Sequence, residues 1–479
     1  MNLIILIPAV ICWVVLARGT IRQAFIYVYL PAVLLLPQYY VWRPPHMPPI
    51  TFGDAAILPL GIALFATELR RWRLQWMDLW VLLFAVGTAV SEGLSAELAY
   101  GDWVRVFSAD STAKSLLSYN MNNGVFEFFA DITTVILPYM VGKLLIERGE
   151  IEGQPVRKAM VSRMVVLVAI VGSVSIFDFF AGTNSWQRMF GHLFPDQFVE
   201  WPMQVRWGFG RVAGPYAHAI LAGMIFLTAL IYCLWLRSSD PRWGTRRVLN
   251  GLPLTQRGLV LASVFAGLLM TQSRGPWLGV ALALLFAVLV RVFSVGKAAV
   301  AFAVLLAVLG VVAFYVGDRY TTGTRDQAAT EEQSTAIYRR QLLESYTPVV
   351  KERMAFGWGV SDYPAANGQR SIDNQYLWLA VTRGFVGMGM FLIIGAGSGI
   401  RLVQLAGRPL CPEDRMLVYA HMAVLLGLMT TFTTVFMGEQ VVPLFFLVIG
   451  WMQAVNPVRV NAGVAPAFGP PFKFRRVLS

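Results

Sequence analysis

Apolar runs of 15 to 22 residues recur from one end of this 479-residue chain to the other. About 20 such residues span the hydrocarbon core of a bilayer. A lipid-exposed backbone must satisfy its own hydrogen bonds, and a helix does so within one segment. The pattern therefore predicts an all-α polytopic membrane protein. Composition agrees, with 57% of residues hydrophobic and 14% charged, where soluble domains carry about a quarter charged. Mean hydropathy is +0.59. The spans are predicted at 2–17, 24–41, 54–68, 78–91, 126–142, 164–181, 215–236, 258–272, 276–293, 298–316, 375–400, 416–436 and 441–455, giving about 12–13 transmembrane helices. The opening MNLIILIPAVICWVVLARG has neither a basic n-region nor a small-x-small cleavage site, so it is expected to be a retained span. Cys12, Cys233 and Cys411 fall in spans or beside them and suggest neither a disulfide framework nor a metal cluster. No segment repeats at a fixed period.

Between the spans the basic residues alternate. One side holds Arg18, Arg22, Arg70, Arg71, Arg73, the 143–163, 237–247 and 401–415 loops, Arg257, Arg291, Lys297 and the basic tail. Together these are 24 of the 39 Lys and Arg, which leaves 15 for the other side. In short loops this bias marks the cytoplasm. The opposite side then receives the loops 92–125, 182–214 and 317–374, the last being one large late outer loop. The net charge of +12 is accordingly read as topology and contact with anionic lipid headgroups, with no nucleic acid as partner.

Several arginines work against that charge bias. In TQSRGPWLGV, Arg274 lies at the border of two spans with no acidic residue beside it, and Pro276 suits the first turn of the second helix. One reading has the side chain snorkelling to headgroups or binding the carbonyls that end the preceding helix. Another gives it an anionic substrate, because a guanidinium fork matches phosphate oxygens. Arg211 stands before a Gly-Pro entry in GRVAGPYAH. In the large loop, 331–354 is predicted helical, with Thr330 and Gln333 as a capping box and Arg340 paired to Glu344 at i+4. Arg339 has no local acid. Three arginines without sequence-local partners thus share one side of the membrane.

The stretch SIDNQYLWLAVTRGFVGMGMF places Asp373 and Asn374 at the outer end of a span. Either could cap that helix, and a carboxylate beside arginines could also take a proton from a sugar hydroxyl. Tyr376 and Trp378 suit an interfacial aromatic belt or a sugar-stacking role. Gly384, Gly387 and Gly389 suit close helix packing. His218 is expected to serve a helix start or packing. Glu92, Glu97, Asp102 and Asp110 make no metal pair and are expected to be solvated.

SRGPWLG, RVAGPYAH, the run from Arg339 to Gly357-Trp-Gly359, and DNQYLWLAVTRGFVG together resemble the O-antigen ligase and Wzy-type polysaccharide polymerase family, over about residues 205–400. Family members are bacterial inner-membrane glycosyltransferases of the GT-C type with their active site facing the periplasm. The resemblance implies transfer of a glycan from undecaprenyl pyrophosphate to an acceptor hydroxyl, without metal or other cofactor. By match, Arg211, Arg274 and Arg339 bind the pyrophosphate. Developing charge on that leaving group is stabilised by fixed guanidinium groups. Where ligases usually show His-Asn before Tyr-Leu, this chain has Asp373-Asn374-Gln375-Tyr376-Leu377. The His is the family's proposed base, so Asp373 is expected to act as base or acceptor orienter, with Asn374 holding it or the sugar. The substitution favours a polymerase, or an exopolysaccharide-type member, over a ligase acting on lipid A-core. Membrane lipids are implied partners, and a chain-length regulator is an open one.

Other classes fit less well. A lipid-linked oligosaccharide flippase would show internal repeats and charged or broken helices at the midplane. A scaffold gives no reason for arginines in motif order. The peptidoglycan-polymerising shape and division proteins have characteristic loop motifs that are not visible here. The expected organisation is N-terminal helices over 1–204, a ligase/polymerase-like core over 205–400, and C-terminal helices with a basic tail over 401–479.

Overall fold

The computed structural model describes residues 2–44, 48–94, 124–197, 203–248, 254–360, 363–366, 371–438 and 440–455. Each predicted apolar segment contains helix, and strands among the described residues are limited to two short hairpins. Gly124–Leu145, Val156–Ala181, Ala219–Ser239 and Gly384–Ala406 are long and apolar enough to cross a membrane, and seven shorter apolar helices accompany them. The chain is an all-α, multi-pass membrane protein.

Ala219–Ser239 forms the centre. It is apolar all round, with Ala222, Phe226, Leu227 and Tyr232 fully buried. Around it pack Val156–Ala181, Gln256–Met270, Arg274–Val292 and Pro412–Thr431. Between lipid-facing helices association rests on van der Waals fit, and small residues let backbones meet. Gly279 shows this: a Cβ there would stand 2.7 Å from the Gly427 carbonyl oxygen. The same device joins Leu137–Leu145 to Val441–Ala454, where a Cβ on Gly142 or Gly450 would collide with the backbone of Leu447 or Tyr139.

The predicted span 375–400 is not continuous. It divides into Gln375–Thr382 and Gly384–Ala406, because Gly384 takes φ +63°, a conformation that costs glycine little. Into that break docks the segment that follows the large-loop helix. Trp358 and Gly359 donate to the carbonyls of Val381 and Thr382, both at 2.9 Å, and Phe385 donates back to Met354 at 2.7 Å. Gly357 and Gly359, at φ +70° and +80°, give the Gly-Trp-Gly stretch its bend. Glu92 closes the same junction. It is fully buried and accepts the Val360 N–H at 2.5 Å, so the expectation that it is solvated is corrected. Glu97, Asp102, Asp110 and the basic tail beyond Val455 lie outside the described residues.

The large-loop helix runs Glu331–Glu352, within two residues of the prediction. Thr330 caps it by accepting the Gln333 N–H. Gln333 turns its own oxygen to Ala329, one residue before the cap residue, so the predicted capping box is only half made. Glu331 and Glu332 in the first turn and Lys351 in the last complement the helix dipole. Arg340 meets Glu344 at 2.8 Å, as i+4 spacing predicts. The buried face, Leu342, Tyr346 and Val350, packs on Ile372, Leu377, Ala380 and Val381. Each fully buried apolar side chain of this kind contributes about 1.5–3 kcal/mol. The helix is thereby held against the start of Gln375–Thr382.

Candidate functional site

The centre of the site is the turn between Gln256–Met270 and Arg274–Val292. Gln272 bridges the two helices at φ +48°, a left-handed conformation uncommon for a residue with a Cβ. Its side-chain oxygen is buried with no hydrogen-bond partner among the described residues. Such locally strained geometry persists where its surroundings enforce it. Two arginines do so here. Arg206 donates to the Gln272 carbonyl at 2.6 Å. Arg211 donates to the Thr271 carbonyl at 3.2 Å, to Ser273 Oγ at 3.0 Å and to Gln204 Oε1 at 2.5 Å. Cations at the carbonyl end of a helix are favoured by its dipole.

Both arginines come from a hairpin in which Val205–Arg206 pairs with Phe209–Gly210. Its turn residues Trp207 and Gly208 both have positive φ, 53° and 80°, the requirement of a type I′ turn. Trp207 is exposed, and Arg274 stands over its ring with the guanidinium carbon 5.8 Å from the centroid.

Arg274 is not without an acid. It forms an ion pair with Glu332, from the first turn of the large-loop helix. The sequence hides this pairing because the partner lies 58 residues away and is delivered only by the fold. Arg339, two turns further along that helix, differs. Its guanidinium has no hydrogen-bond or ion-pair partner among the described residues, while burial holds its pKa below the ordinary arginine value, with Arg206 and Arg274 adding to the effect and Asp373 opposing it. Burial, Arg206 and Arg274 likewise lower Arg211 to about 10, against Glu331 and Asp373. The structure thus brings together the three predicted arginines and a fourth, Arg206.

Asp373 sits within electrostatic range of this group, acting on Arg211, Arg339 and His218. One of its oxygens accepts the Ser371 hydroxyl at 3.2 Å. Asn374 is the N-cap of Gln375–Thr382, accepting from Tyr376 N and Leu377 N at 2.9 and 3.1 Å. Its side-chain oxygen therefore makes the helix cap that the sequence offered as one of its readings. Tyr376 and Trp378 both pack against neighbouring elements. The Tyr376 hydroxyl donates to the Met429 carbonyl at 2.8 Å and its ring meets Phe391 edge-on. Trp378 packs in the large-loop cluster and lies under Arg383, 5.7 Å from its ring centroid. Arg383 also faces Asp131, 3.7 Å away, so this buried arginine belongs to the packed interior beneath the helix break. His218 caps Ala219–Ser239, its Nδ1 accepting the Ile220 N–H at 3.2 Å, the helix-start role expected.

Residues 258–392 match the protein family described as O-antigen ligase. The resemblance read from the motifs therefore holds, and the matched segment takes in Arg274, Glu332, Arg339 and Asp373 together. It supports a glycan-processing function of the O-antigen ligase or polymerase type, exerted on a lipid-linked glycan at a membrane. No curated protein matches the chain. The hairpin with Arg206, Trp207 and Arg211 lies outside the matched ligase segment, yet it supplies two of the four arginines and the aromatic ring over Arg274. Arg206 was legible only in part: positive-φ turn residues in WGFG mark a hairpin, but nothing in the spacing shows which turn its arginines clamp.

Proposed function

We propose that the chain is a membrane glycosyltransferase that extends a glycan carried on undecaprenyl pyrophosphate, acting on the periplasmic face of a bacterial inner membrane. The observation that carries this reading is Arg339, a part-buried guanidinium with no hydrogen-bond or ion-pair partner among the described residues, held near Arg206, Arg211 and Arg274, with Glu332 on Arg274 and Glu331 and Asp373 as the other carboxylates in range. Gathering like charges is unfavourable unless an anion completes the group, and a pyrophosphate has the charge and the oxygen geometry to do so.

In the step this implies, the Asp373 carboxylate accepts the proton of an acceptor hydroxyl. That oxygen attacks the anomeric carbon of the donor sugar, and the bond from that carbon to the phosphate oxygen breaks. Undecaprenyl pyrophosphate leaves with its charge on the arginines, and the anomeric configuration inverts. Removing one such preorganised donor typically costs about 100- to 1000-fold in rate. Asn374 contributes by fixing the helix start that aims Asp373. Residues 205–400 form the core that performs the step, between N-terminal helices over 1–204 and C-terminal helices over 401–479. Polymerase is favoured over ligase by Asp373 standing where ligases usually carry His. The alternative is a ligase with lipid A-core as acceptor.

The test follows extension of an undecaprenyl-pyrophosphate-linked repeat unit by purified protein. Arg274→Ala, Arg339→Ala and Asp373→Asn are each expected to lower extension at least 100-fold with unchanged membrane insertion. Chain growth without lipid A-core marks a polymerase. Wild-type rates in all three variants overturn the proposal.

A further inference from the structure

Beside Arg211 the fold forms a partly open cavity of about 310 Å3. This is near the small end of ligand pockets, about 300–1,000 Å3, and holds one small group rather than a whole oligosaccharide. Asn184, Gln187, Gln204, Tyr216 and His218 line it, and Arg211 alone brings a full charge. Burial and the neighbouring Arg211 hold His218 down at about 4, so the imidazole is neutral at physiological pH. The lining therefore calls for a neutral ligand rich in hydrogen-bonding groups, attached at one end to an anion.

Two donors are free to meet it. Because His218 Nδ1 accepts the Ile220 N–H, the ring proton lies on Nε2, and this nitrogen has no hydrogen-bond partner among the described residues. Gln204 turns its oxygen to Arg211, which leaves its amide NH2 to donate. The walls are fixed by bonds outside the cavity. Tyr216 donates to the Leu34 carbonyl at 3.1 Å, and Asn184 caps the helix Ser185–Leu193 while donating to Gly214. A cavity held open in this way pre-orders the binding groups, which lowers the entropic cost of recognition.

We propose that this cavity is a saccharide subsite, taking the sugar ring directly attached to the pyrophosphate that the arginines hold. Arg211 then borders both halves of one ligand, with phosphate on one side and sugar hydroxyls on the other. The inference rests on the proposed function and adds to it where donor-sugar selectivity resides. Buried polar groups left unpaired by the wrong ligand discriminate more strongly than apolar contacts do.

The experiment compares binding of two probes to the full chain in nanodiscs: undecaprenyl pyrophosphate, and undecaprenyl pyrophosphate bearing a single N-acetylglucosamine. The readout is the ratio of their affinities in wild type, His218→Asn and Ala217→Leu. Asparagine keeps the helix cap and removes the Nε2–H, and the leucine fills the cavity from its wall. The sugar-bearing lipid is expected to bind wild type at least tenfold more tightly, and the ratio is expected to fall towards one in both variants. A ratio near one in wild type, or one unchanged in both variants, overturns the subsite while the bare lipid's binding keeps the proposed function intact. Failure of both lipids to bind wild type overturns the functional reading and the subsite with it.

Discussion

At the scale of single residues, the informative contrast is between two arginines on one site. Arg274 is half-exposed and paired to Glu332, whereas Arg339 is more buried and unpaired. Glu332 therefore occupies, in the free protein, a position that competes with an incoming anion. Glu332→Gln is expected to raise affinity for undecaprenyl pyrophosphate several-fold with no change in melting temperature, since exposed ion pairs contribute little to stability. Titration calorimetry on both proteins checks it, and weaker binding in the variant contradicts it. His218 gives a pH signature. Its pKa is 6.5 in the unfolded chain and about 4 in the folded one, so between these values the unfolded state binds the extra proton and stability falls as pH falls. Thermal melting between pH 7 and pH 4 should show wild type losing stability faster than His218→Asn. Parallel curves would remove burial as the cause. Asn374 separates cap from chemistry: Asn374→Ser retains extension activity, while Asn374→Ala loses about 1 kcal/mol of stability. Inactivity of a stably folded Asn374→Ser would support a catalytic role. The sequence placed Arg211, Arg274, Arg339 and Asp373 on one side because charge bias and motif order are local properties. Glu332's partnership and Arg206's clamp were hidden, since each depends on segments far apart in the chain meeting at one turn.

At the scale of elements, the large-loop helix and the broken helix form one unit. The helix was readable from Thr330, its acidic first turn and its apolar stripe. The break at Gly384 was not, because the apolar run continues through Arg383-Gly384 and hydropathy cannot register a change of φ. Its cause is the docking of 353–359, whose amides fill the carbonyls freed at the break. Gly384→Ala should undo that seat. The substitution is strained at φ +63° and its Cβ would collide with the Ala355 carbonyl. Limited proteolysis is the check: cleavage within 353–366 should accelerate at least tenfold while the rest of the chain stays resistant. Unchanged cleavage would mean that the break does not hold the loop. The aromatic residues carry a related lesson. Tyr376 and Trp378 have the composition of a sugar platform, but their helix turns them to Met429 and to the loop cluster, whereas Trp207, on a hairpin tip, stands over Arg274.

At the scale of the whole molecule, the all-α class followed from hydropathy alone, because a bilayer permits so few backbone arrangements. Orientation is a separate matter, expected from the charge bias that assigns 24 of the 39 basic residues to one side. With the native cysteines replaced, a cysteine substituted at Arg325 in the large loop should react with a membrane-impermeant maleimide in intact cells. A cysteine substituted at Arg246 should react only after permeabilisation. The reverse pattern would place the arginine cluster in the cytoplasm and remove the periplasmic reading.

The central claim is that the unpartnered charge of Arg339 is completed by a pyrophosphate. The most direct measurement is equilibrium binding of undecaprenyl pyrophosphate to wild type, Arg339→Ala and Arg339→Lys in nanodiscs, with undecaprenol as the uncharged control. The account predicts that wild type binds the pyrophosphate and not undecaprenol, that alanine weakens binding at least tenfold, and that lysine restores part of it. Equal affinity of all three proteins for the pyrophosphate, or equal affinity of wild type for both lipids, would contradict it.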